Sequence, residues 1–388
     1  MHIQKSHIII TAILLLFTSM CIEPFDPPRG DFEDLLVIEG LITDEVDPQI
    51  IRISRSFPID TVQFLPENGA EVMVMDDLGN EHQLQSVGSG EYQTPSGFQG
   101  VKDRTYQLFV TTSKGEIIQS DPVTLKSTPK IDSISWEINS RLNDEGILID
   151  GVQIYINTHD PNNDTWNYRW QWEETWEFNA RYHSSFQWAP NGDVEVRTEN
   201  IYTCWSTVKS QNIFVGSSGK LTTDVISAHP IHYVSASGSN RLIKKYSILV
   251  KQYALSEAAW FFWQQMEKMN QDLGSLFAPQ PTAVKGNLIN ISEPEKPVIG
   301  YFDASTVDEM RLFISKEELG DMRVYTGYHN CTYDTLLFAA IPGYDYKHHS
   351  NPLDLIYGII FPIGYSVSSS ECSDCRLYGV NIKPDFWE

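Results

Sequence analysis

Apolar and polar positions alternate with period two along most of this chain, and that alternation predicts β-strands. Leu35 to Ile42 is an apolar strand. Gln49 to Arg55 sets Ile51 and Ile53 against Arg52 and Ser54, and Ala70 to Met75 repeats the pattern. Asp77-Leu78-Gly79-Asn80 supplies a tight turn. Tyr106, Leu108 and Val110 share one face of the next strand, and Ser113-Lys114-Gly115 turns the chain into Glu116 to Gln119. Short strands with turns at this spacing predict a sandwich over 35–128, read here as Ig-like. Ser127, Thr128 and Pro129 mark a linker. From 129 to 388 the pattern predicts a larger β-rich domain, with apolar runs at Ile131 to Ile138, Ile147 to Ile156 and Ser247 to Tyr253, and a further one at Leu355 to Ile363 broken by Gly358.

One segment departs from period two. Leu255, Ala258, Ala259, Phe262, Met266, Met269 and Leu273 fall on one helical stripe. Ser256 suits the cap position and Gly274 the stop. The fold class expected is therefore mainly β, with one amphipathic helix near 255–273. Trp260 and Phe261 lie off the stripe. Either a second layer covers them, or they face a partner.

The first twenty residues change the address. A weakly basic start with Lys5, an apolar run from Ile8 to Phe17 and a break at Cys21 read as a secretory signal over 1–20. The run is too short to span a bilayer. Cys21 stands where a bacterial lipoprotein carries its lipid, although Met20 and Thr18 replace the usual small residue and Leu. A cleaved signal with an unrelated cysteine is the alternative. With a diacylglyceryl thiol and an acylated amine, the anchor would be effectively permanent. Three prolines after Cys21 make 21–34 a non-helical tether.

The formal net charge is −23, which argues against nucleic acid and anionic lipid headgroups as partners. Besides Cys21 the cysteines are Cys204, Cys331, Cys372 and Cys375. In an exported chain they are disulfide candidates, with the pairing left open. Cys372-Ser-Asp-Cys375 alone would suit a redox or zinc half-site, but no βαβ unit or second close pair accompanies it.

The remaining clusters each admit a plain structural reading. Trp166, Tyr168, Trp170 and Trp172 would stand in one row on a strand. They are ligand-stacking candidates for a glycan or peptide, or else sandwich core. Asp160-Pro-Asn-Asn-Asp164 suggests calcium but lacks the Gly and distal Glu of a standard loop, so an Asx turn explains it. His229, His232, His348 and His349 are scattered. Gly216-Ser-Ser-Gly219 is not a nucleophile elbow, and no phosphate loop or dinucleotide fingerprint is present. No catalytic residue, metal site or cofactor other than the lipid at Cys21 is expected. An envelope hydrolase is the least supported class, since no carboxylate pair stands out.

Residues 244–305, containing SILVKQYALSEAAWFFWQQMEKMNQDLG and KGNLINISEPEKPVIGYFDAS, resemble the signature of domain-of-unknown-function family 4249, lipoproteins of Bacteroidota. CIEPFDP, LLVIEGLITDE, IRISRS and ECSDCRLYGVNIKPDFWE resemble the same family. The resemblance implies an outer-membrane lipoprotein, at the cell surface or on the periplasmic face, often encoded beside a TonB-dependent receptor. It would then be a non-enzymatic accessory of such an outer-membrane barrel, with Trp260 and Phe261 as interface candidates. A glycan- or peptide-binding surface lipoprotein is the alternative. Gly286, Asn287, Gly300, Cys372, Cys375 and Trp387 fall on the family's recurrent positions, and they look like turn, bridge and packing residues.

Overall fold

A computed structural model describes residues 34–56, 65–143, 145–272, 284–324, 327–328, 330–345 and 350–387. Ten short strands come first: β1 (Leu36–Ile42), β2 (Ile50–Arg55), β3 (Leu65–Pro66), β4 (Glu71–Asp76), β5 (Glu81–Gln83), β6 (Gln85–Gly88), β7 (Glu91–Gln93), β8 (Thr105–Thr111), β9 (Ile117–Ser120) and β10 (Val123–Thr124). Leu36, Ile38 and Ile42 of β1 point inward with Ile51 and Ile53 of β2. They meet Val72, Val74, Leu108 and Val110 from the facing sheet in one core. The alternation read from the sequence is thus the division between core and solvent.

Two later strands complete this body. Residues Leu288–Asn290 and Val298–Ala304 are here β20 and β21, numbered in chain order. β20 pairs antiparallel with β9. β21 runs parallel to β1, with Gly300 opposite Ile38. The sheets are ordered β21-β1-β2-β7-β6, with β3 on β2, and β20-β9-β8-β4-β5, with β10 on β8. The expected boundary at 128 assigned 288–304 to the second domain; the pairing puts them in the first. A parallel pair needs a long crossover, and here the crossover carries a whole second body.

That body contains β11 (Ile131–Leu142), β12 (Leu148–His159), β13 (Asn167–Asn179), β16 (Thr203–Lys209), β17 (Phe214–Ser217), β18 (Val225–Ser235), β19 (Lys245–Ala254) and β22 (Val307–Ser315). Sheet β11-β12-β18 faces sheet β16-β13-β19-β22, in which β17 also pairs with β13. Val152, Ile154 and Ile156 pack on Tyr168, Trp170, Tyr246 and Ile248 between them. The remaining strands are the hairpin β14 (Phe186–Trp188) and β15 (Val194–Val196), and a sheet β23-β25-β24 of Asp334–Leu337, Pro362–Ser369 and Ser350–Tyr357.

Helix α1 (Glu257–Asp272) lies where the two bodies meet. The Ser256 hydroxyl accepts from the Ala259 N–H at 3.1 Å, the expected cap. Leu255, Ala259, Phe262 and Trp263 are buried against Val215 and Tyr301. The buried stripe is rotated from the expected one: Ala258 is exposed and Trp263 takes its place. Leu273 and Gly274 lie outside the described residues. Cross-body ties surround the helix. The Arg169 guanidinium reaches Glu39 at 3.2 Å and lies 3.7 Å over the Trp263 ring, and Lys251 pairs with Glu45 at 2.5 Å.

The four late cysteines form two bridges, Cys204–Cys375 and Cys331–Cys372. Each C-terminal thiol therefore pairs with a distant one, and Cys372-Ser-Asp-Cys375 is not a redox pair. The first bridge joins residues 171 apart and ties the C-terminal segment to β16. The short helix α2 (Ser370–Ser373) carries Cys372.

Candidate functional site

Cys21 and the leader lie outside the described residues, as do His348 and His349. The aromatic row on β13 is core. Tyr168 and Trp170 are wholly buried, and Trp172 nearly so. The Tyr168 hydroxyl donates to Asp224 Oδ2 at 2.7 Å, and the Trp170 indole donates to Gln252 Oε1 at 2.8 Å. His229 and His232 cover the Trp170 and Trp172 rings at 4.8 and 3.9 Å. The row lies on the β13 face that meets the opposing sheet, while Gln171, Glu173 and Glu177 on the other face are only half-buried, and period-two patterning does not say which face is covered. Tyr168, Trp170 and Trp172 have no free ring face for a ligand. Trp166 alone stays half-buried, with φ at 60°. Asp224 Oδ2 accepts its N–H at 3.1 Å, and its carbonyl accepts from the Ser218 N–H at 2.9 Å. Gly216 and Ser217 of Gly216-Ser-Ser-Gly219, expected as a turn, belong to strand β17, and Ser218 just past its end holds Trp166.

Trp166 lines a crevice of about 790 Å³ together with Trp260, Asn167, Glu257 and Lys126. Lys126 also borders crevices of about 690 and 510 Å³. The three run along the seam between the two bodies and α1. Phe261, 57% exposed, stands on the rim of the smallest, which Asp303, Tyr301 and Asn287 also line. Of the two off-stripe aromatics, Phe261 therefore faces outward, while Trp260 packs partly on the helix cluster.

Asp303 is the unusual charge of this seam. Its Oδ1 accepts the Ala304 N–H at 2.9 Å, while Oδ2 has no partner. Burial pushes its carboxyl up to about 7, against the pull of that N–H, Arg169 and Lys126. Other buried charges among the described residues have bonding partners. Glu174 meets the His232 ring at 3.1 Å, Arg241 at 2.8 Å and the Tyr246 hydroxyl at 2.9 Å. Burial opposes its charge, but these partners hold its carboxyl below the usual range. Arg55 likewise joins Glu67 at 2.7 Å, Glu116 at 2.5 Å and Asp34 at 3.3 Å. These clusters tie strands together. Asp160 accepts from the N–H groups of Asn162, Asp164 and Thr165, so its carboxylate closes an Asx turn.

The positions singled out by family resemblance have structural causes. A Cβ on Gly286 would sit 1.7 Å from the Gly300 carbonyl oxygen, and one on Gly300 would sit 1.8 Å from that of Ile38. Backbones touch there, and Gly300 has φ of 120°. The Asn287 side chain pairs with the Phe302 backbone at 2.8 and 2.9 Å, as a neighbouring strand would. Trp387 is buried on Phe313 and donates to Glu177 at 3.3 Å.

A further surface escaped the sequence reading. Leu355 to Ile363 is not one strand: Gly358 lies in a hairpin turn between β24 and β25, and Ile359, Ile360 and Phe361 at its tip are 103, 76 and 73% exposed. The break at Gly358 was legible in the sequence, and Pro362 just after the run marks the other side of the turn, but the exposure of the tip was not.

The family model described as Domain of unknown function (DUF4249) matches residues 22–311. No curated protein matches the chain. Among solved structures, the chain is similar to a DUF4785 family protein from Legionella pneumophila subsp. pneumophila str. Philadelphia 1, at 12% identity. That match covers 56% of this chain and about half (52%) of the other, with a TM-score of 0.17. So low a score bears on neither fold nor function.

Proposed function

Since the chain belongs to the DUF4249 family, whose function is unknown, we propose that it is a non-enzymatic outer-membrane lipoprotein, an accessory subunit of a barrel such as a TonB-dependent receptor. The observation that carries this reading is the apolar run Ile8 to Phe17 closing on Cys21, followed by a proline-rich tether. Acyl chains at Cys21 hold the body beside lipid. Two features support docking over chemistry. The buried ionic groups Glu174 and Arg55 are consumed in holding strands together, and an exposed aromatic, Phe261, stands on the rim of a seam crevice. Aromatics are enriched in interface cores.

The test is purification from membranes in mild detergent. The N-terminal peptide is expected to carry acylated Cys21 by mass spectrometry, and a barrel protein is expected to co-elute. Phe261→Asp should weaken that co-elution at least tenfold while leaving acylation intact. A free Cys21 thiol would remove the anchor, and elution without a barrel would remove the partner.

A further inference from the structure

The β24–β25 hairpin ends in a turn with nothing polar to offer. The Gly358 N–H donates to the Phe361 carbonyl at 2.9 Å and closes it. Tyr357, Ile359, Ile360 and Phe361 are all more than half exposed. Because 359–361 are consecutive, their side chains radiate around the turn rather than line one face. No charged residue occurs from Leu355 to Ser370, or from Thr335 to Tyr344 in the neighbouring β23 strand and turn. Leu337 and Phe338 of that neighbour add exposed apolar surface beside the hairpin.

The opposite end of this sheet is fixed. Cys331, just before β23, is bridged to Cys372, just after β25. The Trp188 indole donates to the Ser350 carbonyl at 3.0 Å, and Ser184 donates to that of Pro352 at 2.6 Å. Asp354 is the first charge below the tip, and its carboxylate accepts from Ser185 at 2.6 Å. The sheet is therefore a projection clamped at its base and bare at its point.

From these features we infer that the hairpin tip inserts into the hydrocarbon of a lipid bilayer. Shape and the absence of charge select lipid over a second protein. The charge-free end of β24 from Leu355 to Tyr357 spans about 10 Å at ~3.3 Å per residue, which fits within one leaflet of a ~30 Å hydrocarbon core. A convex point with apolar side chains on all sides is solvated in every direction by acyl chains. β25 is paired on both sides, by β23 and β24, so the central arm satisfies its backbone groups within the sheet. With no cation at the tip and an acidic chain behind it, the lipid is expected to be zwitterionic rather than anionic.

The inference rests on the envelope location proposed above, but on neither acylation nor a barrel partner. Its test uses the chain from Ile22 onward, which keeps every described residue and lacks both leader and cysteine. Co-flotation with pure phosphatidylcholine vesicles is the measurement, with near-ultraviolet circular dichroism and disulfide mapping as folding checks. This chain is expected to float with the vesicles. The pair Ile359→Asp and Phe361→Asp should lower its partition at least tenfold, and Leu78→Asp, at an exposed turn of the first body, should change nothing. Three outcomes overturn the inference: no flotation of the parent chain, equal flotation of the tip variant, or flotation only when the vesicles carry a barrel protein. Concentration-dependent dimerisation that the tip variant abolishes would assign the surface to a second copy instead. Loss of acylation or of a barrel partner in the earlier experiment leaves this result standing.

Discussion

Asp303 illustrates how a single side chain reports on its surroundings. Its pKa stands at about 7 against an ordinary 3.8 because burial penalises the charge. Between those values the native chain binds more protons than the unfolded one, so this group makes stability fall as pH rises from about 4 to 7. Asp303→Asn removes that dependence and keeps the Oδ1 acceptor for Ala304. In chemical denaturation the variant is expected to match the parent near pH 4 and to exceed it at pH 8. The upper figure is roughly 4 kcal/mol, at about 1.4 kcal/mol per pKa unit. Equal stability of the two chains at pH 8 would show that the carboxyl titrates normally. Glu174 carries the opposite sign. Its depressed pKa adds stability above the ordinary carboxylate range that is lost as the medium becomes acid enough to protonate it.

Among the elements, β21 shows the most demanding packing. It enters beside β1 in parallel register, and Gly300 faces Ile38 so closely that no Cβ fits. Gly286 then packs on Gly300 from the other side. Gly300→Ala is expected to cost about 3 kcal/mol or more through steric clash and a φ that L-residues rarely adopt. The measurement is the denaturation midpoint, and a shift below about 1 kcal/mol would contradict the close approach. Helix α1 buries a face centred differently from its apolar stripe, with Trp263 inside and Ala258 exposed. A hydrophobic stripe specifies that a helix buries a face; the neighbours decide which residues lie at its centre.

At the scale of the whole molecule, the chain leaves its first body at Lys126 to Thr128 and returns to it at β20 and β21. Lys126 N–H meets the Ala304 carbonyl at 3.3 Å, and Thr128 and Ser305 share a hydrogen bond of 2.9 Å. The outgoing and returning strands are thus bonded to each other. A fragment of residues 34–128 lacks β20 and β21, leaving the β1 and β9 edges open and Phe302 missing from the core. Unpaired edges of this kind promote aggregation. The fragment is expected to be unfolded or aggregated by circular dichroism and light scattering. A monomeric, cooperatively melting fragment would restore the boundary at 128.

The strands of the first body, the capped helix and the presence of bridging cysteines were legible along the chain, because period, cap and composition are local properties that act over a few residues. Strand partners, the return of β21, the disulfide pairing and the bare hairpin tip were decided only on folding. Each depends on which distant surfaces meet, and a residue's own hydrophobicity is silent on that. Trp170 and Ile360 make the contrast: both are large apolar side chains, yet Trp170 is closed in between two sheets while Ile360 faces outward. The physical reason is that burial is a property of the space around a side chain, and that space is filled by residues scores of positions away.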